Sequence, residues 1–336
     1  MPKNDFPVQG RLAVVAGGSR GLGLAIARQL AEKGANVVIV ARDHDRLVQG
    51  IEHIRQGAPN PETQRFHQIS ADLTSASETV HVIEEVVSWN SGNPPDIVWC
   101  CAGVSRPRLF IDTPVSDFQA QMNSNYFTSL YMAHATLAYW LRNPRKDTIN
   151  GSGTQPSAPL PARHLVFTSS FLAFYSFAGY ASYSPAKAAL RSLSDTLSQE
   201  MNLYAAANPH EPPVRVHTIF PATIQGEALE AENQIKAGVT KMLEEGDAQQ
   251  APESIAAKSI KALERGQEII TTDFTTGLVK RSMLGGSIRG GALTALGDWF
   301  FAGVMALLMI LVRSDMDKKV KDWGRKFGTS GNKQDS

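Results

Sequence analysis

A chain of 336 residues, 43% of them apolar, is long enough for one large α/β body with an appendage. A net charge of +1 gives no electrostatic reason to expect nucleic acid as a partner. The only cysteines, Cys100 and Cys101, are adjacent inside an apolar run, where they cannot easily bridge each other or build a metal site, so a reducing compartment and no metal are expected. Residues 1–10 carry neither a secretory nor a transit pattern, and the main body is expected to face the cytosol.

In chain order, the first apolar β-branched run, 11–17, leads into AGGSRGLG and then a helical pattern. Gly17, Gly21 and Gly23 allow a tight turn, close approach of backbone to a pyrophosphate, and close packing of helix on strand. Ser19, Arg20 and Leu22 complete this candidate dinucleotide loop. A second strand, 36–42, ends in Ala41 and Arg42, where an acidic residue would bind a ribose 2′-hydroxyl. Arg42 and Arg20 instead suit a 2′-phosphate, which points to NADPH rather than NADH; Asp43, one residue further on, is the contrary sign.

Further strands are expected at 65–73, 96–103, 163–170 and 214–221, with helical spacing between them and no internal repeat. The alternation specifies a Rossmann-type doubly wound parallel sheet. Residues 143–163, rich in Pro, Gly and Ser, read as a flexible insertion. FLAFYSFAGYAS, 171–182, is an aromatic wall suited to a long apolar substrate, or equally to packing or a dimer surface.

These motifs resemble the short-chain dehydrogenase/reductase family over roughly residues 10 to 275. The resemblance implies adenine contacts from Asp72 and Leu73 of ADL, and cofactor contacts from Ala102 and Gly103 of CCAG. It implies further contacts near the nicotinamide carboxamide from Pro221, Thr223 and Ile224 of FPATI. Asn125 of NSNYF, Ser170 of FTSS, and Tyr183 and Lys187 of YSPAK form the implied catalytic set, the serine lying thirteen residues before the tyrosine. Residues 222–250 fall where the family places its substrate lid, which here offers no obvious anion clamp. Cys100 and Cys101 replace asparagines of the family pattern, and Ala222 replaces a glycine.

Tyr183 and Lys187 are four residues apart, so on a helix they share a face. The lysine, aided by an oxidised nicotinamide, is expected to lower the phenol from its usual value near ~10. Tyr183 would then donate a proton to a carbonyl oxygen that Ser170 also hydrogen-bonds. The resemblance gives Asn125 the task of holding a water and Lys187 in a proton relay, and has Lys187 bind the nicotinamide ribose. A buried core tyrosine is the plain alternative for Tyr183. Tyr180 lacks a lysine four residues on, and Ser169 has the wrong spacing and is expected to support the strand end.

WFFAGVMALLMILV, 299–312, is uncharged. At ~1.5 Å per residue it covers about 21 Å, short of a ~30 Å hydrocarbon core. Asp298 opposes extending it backwards. Lys280, Arg281 and Arg289 precede it, and Arg313, Lys318, Lys319, Lys321, Arg325 and Lys326 follow it. Basic flanks on both sides fit an in-plane or re-entrant anchor better than a crossing helix, and Met316, Val320, Trp323 and Phe327 recur as on an interfacial helix. A buried C-terminal helix covering the body or a dimer partner is the alternative. The chain thus divides into a catalytic domain, 1–275, a membrane-associating segment, 276–327, and a flexible tail, 328–336.

GGSRGLG, VARD, YSPAK and RSDMDKKV together resemble the 3-ketodihydrosphingosine reductases, particularly the fungal ones. That resemblance implies NADPH-dependent reduction of 3-ketosphinganine to sphinganine at the endoplasmic reticulum membrane, with the catalytic domain facing the cytosol. Its partners would be a long-chain lipid ketone and a membrane surface, with no nucleic acid; a homo-oligomer is left open. Reduction of another lipid carbonyl (a retinoid, steroid or acyl ketone) and a non-catalytic NADPH-binding membrane adaptor are the competing readings.

Overall fold

The computed structural model describes residues 4–142, 160–283 and 291–327. Residues 143–159 of the expected insertion, the flanking Arg289 and the tail 328–336 lie outside them. All six expected strands form: β1 (Leu12–Ala16), β2 (Asn36–Ala41), β3 (Phe66–Ser70), β4 (Ile97–Cys100), β5 (Arg163–Thr168) and β6 (Val214–Phe220). Arg163, placed at the end of the insertion, is buried as the first residue of β5. A seventh strand, β7 (Ile269–Thr271), has only three residues, too few to give a periodic signal in the sequence.

Every pairing is parallel, in the order β3-β2-β1-β4-β5-β6-β7. Such a sheet is covered on both faces, which is why β1 and β4 are buried at every residue. The two-residue period then sorts the side chains: Leu12, Val14 and Ala16 enter one core, Ala13 and Val15 the other. One face carries α3 (Ala76–Trp89), α5 (Thr128–Arg142) and α6 (Ser184–Ala207); the other carries α1 (Gly21–Glu32), α2 (His44–Gly57) and α9 (Pro252–Glu264). The connection reverses direction between β1 and β4, so their carboxyl ends open the crevice where such sheets bind ligands.

The remaining helices are α4 (Val115–Met122), α7 (Glu227–Ile235), α8 (Gly238–Leu243), α10 (Phe274–Met283) and α11 (Ala292–Phe327). Residue 275, the expected domain boundary, falls inside α10, and Val279 of that helix is buried with Phe174 and Phe220. This helix therefore belongs to the catalytic body. The apolar stretch and the basic stretch after it form one unbroken 36-residue helix, about 54 Å long, so no turn sends the chain back out as a re-entrant anchor would. One side of the helix covers the body, while Leu293, Trp299, Phe300, Val304, Leu307, Ile310 and Leu311 on the rest of it are exposed. Asp298 is not a stranded charge but is buried, 3.7 Å from Arg281 of α10.

Candidate active site

The turn after β1 is shaped by backbone contacts only glycine allows. Gly17 has a φ of +83°, and a Cβ there would lie 2.6 Å from the Ala102 nitrogen at the end of β4. At Gly23 a Cβ would lie 2.1 Å from the Gly17 carbonyl oxygen. Gly21, at φ +53°, borders open space. The first turn of α1 carries no side-chain cap, which leaves its amide hydrogens available to an anion. A strand end, an open glycine cradle and an uncapped helix at the switch point fit the pyrophosphate of a dinucleotide. Gly23→Ala is expected to displace helix from strand, with a loss of about 1–3 kcal/mol in stability and at least a tenfold drop in dinucleotide affinity, read by thermal melting and fluorescence titration.

Beside this turn, Ser19 is half-buried, Arg20 exposed and Leu22 buried. Asp43, the contrary sign in the sequence, caps α2: its carboxylate accepts from the Arg46 nitrogen at 3.1 Å and pairs with the Arg46 guanidinium at 3.4 Å. Arg46, which the sequence reading did not single out, joins Arg20 on one oxygen of Glu227, at 2.9 and 3.7 Å. Two guanidinium groups thus converge on a single anion from the lid. Arg42 is exposed, and its charge, after the Thr74 backbone hydrogen bond, helps hold the Asp72 carboxyl below its usual value. Leu73 is buried next to it.

The expected catalytic residues come together at the carboxyl ends of β4 and β5. Ser170 follows β5; its hydroxyl accepts from the Leu172 nitrogen at 3.2 Å and lies close enough to Tyr183 to favour the ionised phenol. Tyr183 precedes α6, with Pro185 setting the first turn. Lys187, one turn on, is buried, donates to the Thr168 carbonyl at 3.0 Å and sits 5.5 Å from the Tyr183 ring centre. Asn125 lies in a π-turn, Asn123–Phe127, the local insertion that aims its amide inward. The Asn125 side chain accepts from the Val104 nitrogen at 3.1 Å and donates to the Val104 carbonyl at 2.7 Å. A Cβ on Gly103 would meet Asn125 Oδ1 at 2.6 Å and Lys187 Nζ at 3.3 Å, so both groups border the same exposed glycine.

The protein's own groups, without an oxidised nicotinamide, act against ionisation of the phenol. Burial pushes the Tyr183 phenol above its usual value, and the Glu232 carboxylate adds to this; the Ser170 hydrogen bond opposes them. Burial also draws the Lys187 ammonium down, to about 8. The protein's own groups therefore keep Tyr183 protonated, the form that can donate. Ser169 supports the strand end as expected, donating to the Lys187 carbonyl at 2.8 Å. Cys101 Sγ lies 3.4 Å from the Thr168 hydroxyl, and burial pushes its thiol up to about 12, so it stays protonated.

Pro221 accepts from the Phe171 nitrogen at 2.9 Å, and Ile224 bridges to Gln250, closing the base of the lid; the Thr223 carbonyl accepts from the Gln250 nitrogen at 3.0 Å. Inside the lid, Tyr180 donates to Glu244, whose other oxygen lies 2.6 Å from Lys236. Lys236 is 1% exposed and also lies 3.8 Å from Glu232. Glu232, Lys236 and Glu244 thus form an acidic cluster in the lid. Nothing in the sequence marked it, because Glu232 and Lys236 at i and i+4 look like a solvated helix pair. Met309 of α11 packs, as do Phe171 and Tyr175 of the aromatic wall, against the cluster of Phe174, Phe220 and Val279, and the Tyr175 hydroxyl lies 3.1 Å from Met316 Sδ.

The short chain dehydrogenase family model matches residues 11–237. The chain is 47% identical to a 3-ketodihydrosphingosine reductase of Aspergillus fumigatus, over 97% of this chain and 88% of that protein. It is 38% identical to another of that name from Neurospora crassa, over 97% and 86%, and 35% identical to one from Cryptococcus neoformans, over 84% and 77%. Among solved structures, a short-chain type dehydrogenase/reductase from Mycobacterium ulcerans superposes with a TM-score of 0.63 at 19% identity, over 79% of this chain and 89% of that one, a likeness of fold. The chain belongs to the short chain dehydrogenase family and, within it, to the same group as these fungal 3-ketodihydrosphingosine reductases.

Proposed function

We propose that the chain reduces the ketone of 3-ketosphinganine to the alcohol of sphinganine, with NADPH as reductant, at a membrane surface. The observation that carries this reading is the junction of two features. A Ser170–Tyr183–Lys187 constellation with Asn125 beside it opens next to an aromatic wall, and that wall is packed by a long helix whose outer side is apolar and exposed. The names of the relatives supply the substrate class.

The bound dinucleotide would supply hydride to the carbonyl carbon. Gly17, Ser19, Arg20, Gly21, Leu22 and Gly23 would cradle its phosphates, with Asp72, Leu73, Ala102, Gly103, Pro221, Thr223 and Ile224 along its length and Lys187 also binding the nicotinamide ribose. Tyr183, held protonated by burial, would give its proton to the carbonyl oxygen while Ser170 donates a hydrogen bond to the same atom. Lys187, with an ammonium weakened to about 8, is the nearest group able to restore that proton, and Asn125 borders the space above Gly103 through which a water would connect it.

NADPH is favoured over NADH by the cations around the adenosine end: Arg42, Arg20 and the newly found Arg46. Arg42→Asp is expected to shift the ratio of kcat/KM for NADPH over NADH by roughly tenfold to a hundredfold towards NADH, the range for a charge-assisted hydrogen bond of about 1.5–3 kcal/mol. An unchanged ratio would place the phosphate elsewhere.

The helix α11 is attached to the catalytic body by Asp298, Met305, Met309 and Met316, a stripe with near-heptad spacing. A helix held along its length against a polar domain cannot also cross hydrocarbon, so it would lie in the membrane plane, with its outer side in lipid. An endoplasmic reticulum surface, approached from the cytosol, is the location that suits the substrate class. The deciding assay is NADPH consumption with 3-ketosphinganine in detergent, with the product identified by mass; no turnover of this ketone would reject the reading.

A further inference from the structure

The lid holds more negative than positive charge close to the reacting centre. Its carboxylates, Glu232 and Glu244, share one buried ammonium, Lys236. That lysine is committed to Glu244 at 2.6 Å, and the other oxygen of Glu244 takes the Tyr180 hydroxyl, so Glu244 is fully engaged. Glu232 is left with Lys236 at 3.8 Å, beyond a good hydrogen bond, and its side chain is 19% exposed. The buried Ser105 hydroxyl lies towards Glu232 and has no close hydrogen-bond partner among the described residues. Tyr180 and Tyr183 stand 6.1 Å apart between ring centres, and the charge of Glu232 is felt at the Tyr183 hydroxyl.

We infer that Glu232, assisted by Ser105, receives the ammonium group that the substrate carries on the carbon next to its ketone. This rests on the sphingoid-ketone reading above and names the part of that substrate which the lid selects. With the carbonyl oxygen on Tyr183 and Ser170, an ammonium two bonds from the carbonyl carbon has to lie within reach of whatever lines Tyr183 on the lid side. The group found there is a partly desolvated carboxylate with one weak partner. Lys236 does not repel the incoming cation, because Glu244 neutralises it at closer range. The cluster of two carboxylates and one ammonium gains the single positive charge it lacks. A neutral ketone of the same length would leave Glu232 desolvated and uncompensated, so the lid discriminates by charge beside the carbonyl as well as by chain length.

The test uses the full chain in detergent with two ketones of equal length, 3-ketosphinganine and its analogue without the amino group. Glu232→Gln is expected to raise KM for the amino ketone by roughly tenfold or more and to lower KM for the analogue, which then no longer buries an unpaired carboxylate. Glu232→Asp should recover part of the loss. Equal effects on both ketones, or none on either, would overturn the inference. Should the glutamine variant fail to fold, the wild-type protein decides alone: its KM for the amino ketone must be well below that for the analogue, and equal values overturn the assignment. Turnover of the analogue with none of the amino ketone would reject the substrate reading itself, whereas efficient turnover of both with no preference rejects only the role of Glu232.

Discussion

Tyr183→Phe should leave dinucleotide affinity within about twofold and lower kcat by roughly 10²–10⁴, the range associated with loss of a positioned general acid. The substitution keeps the ring, and with it the contact with Tyr180 at 6.1 Å and the Lys187 ammonium at 5.5 Å. What disappears is the hydroxyl whose ionisation Ser170 favours, the group that would donate the proton. Binding of the reductant, followed by fluorescence, and the melting temperature should stay near their wild-type values. The same change at Tyr180 provides the contrast. Its hydroxyl is spent on Glu244 in the lid, so Tyr180→Phe should loosen the lid and alter KM before it alters kcat. A Tyr183→Phe protein with kcat within threefold of wild type would mean that the proton comes from another group, and Lys187 would be the next to examine.

The contrast between these two tyrosines also separates what the sequence discloses from what it hides. Tyr183 was legible because its chemistry is local: a lysine one helical turn away and a serine at a fixed distance upstream. The glycine turn and the buried strands were legible for the same reason, since tight φ angles and two-residue alternation are properties of neighbouring residues. Glu232 and Lys236 gave no such signal. Their spacing suits a solvated pair, and only the folding of the lid over Tyr180 buries the lysine and brings the charge of Glu232 to bear on Tyr183. Arg46 was hidden likewise, for nothing near it in sequence says that it meets Glu227, which lies 181 residues away. Asp298 was read as a charge stranded in an apolar run because its partner Arg281 precedes it by more than four helical turns of sequence and belongs to another helix. The burial that raises the Tyr183 phenol was hidden too, for Lys187 is visible in sequence while the packing around both groups is not.

The second large effect concerns the outer side of α11. Leu307→Lys combined with Leu311→Lys should release the protein from vesicles while leaving its fold and its reduction of a short, soluble ketone intact. Both leucines are exposed, one helical turn apart, on the side opposite Met305 and Met309, so the lysines disturb no contact with the body. Each would cost roughly 3 kcal/mol at the centre of a bilayer. In an interfacial helix their ammonium groups can reach outwards, which reduces the pair to about 2–4 kcal/mol, or a fall of some thirtyfold to several hundredfold in vesicle binding measured by co-sedimentation. Turnover of a long-chain ketone presented in bilayers should fall with it, because enzyme and substrate no longer share a surface. Met305→Lys is the control from the other side of the helix. It places a charge against the body where Met305 is buried, and should lower the melting temperature instead. Unchanged co-sedimentation of the double variant would show that α11 is not the membrane contact, and a change in assembly state in its place would identify the exposed leucines as a protein interface.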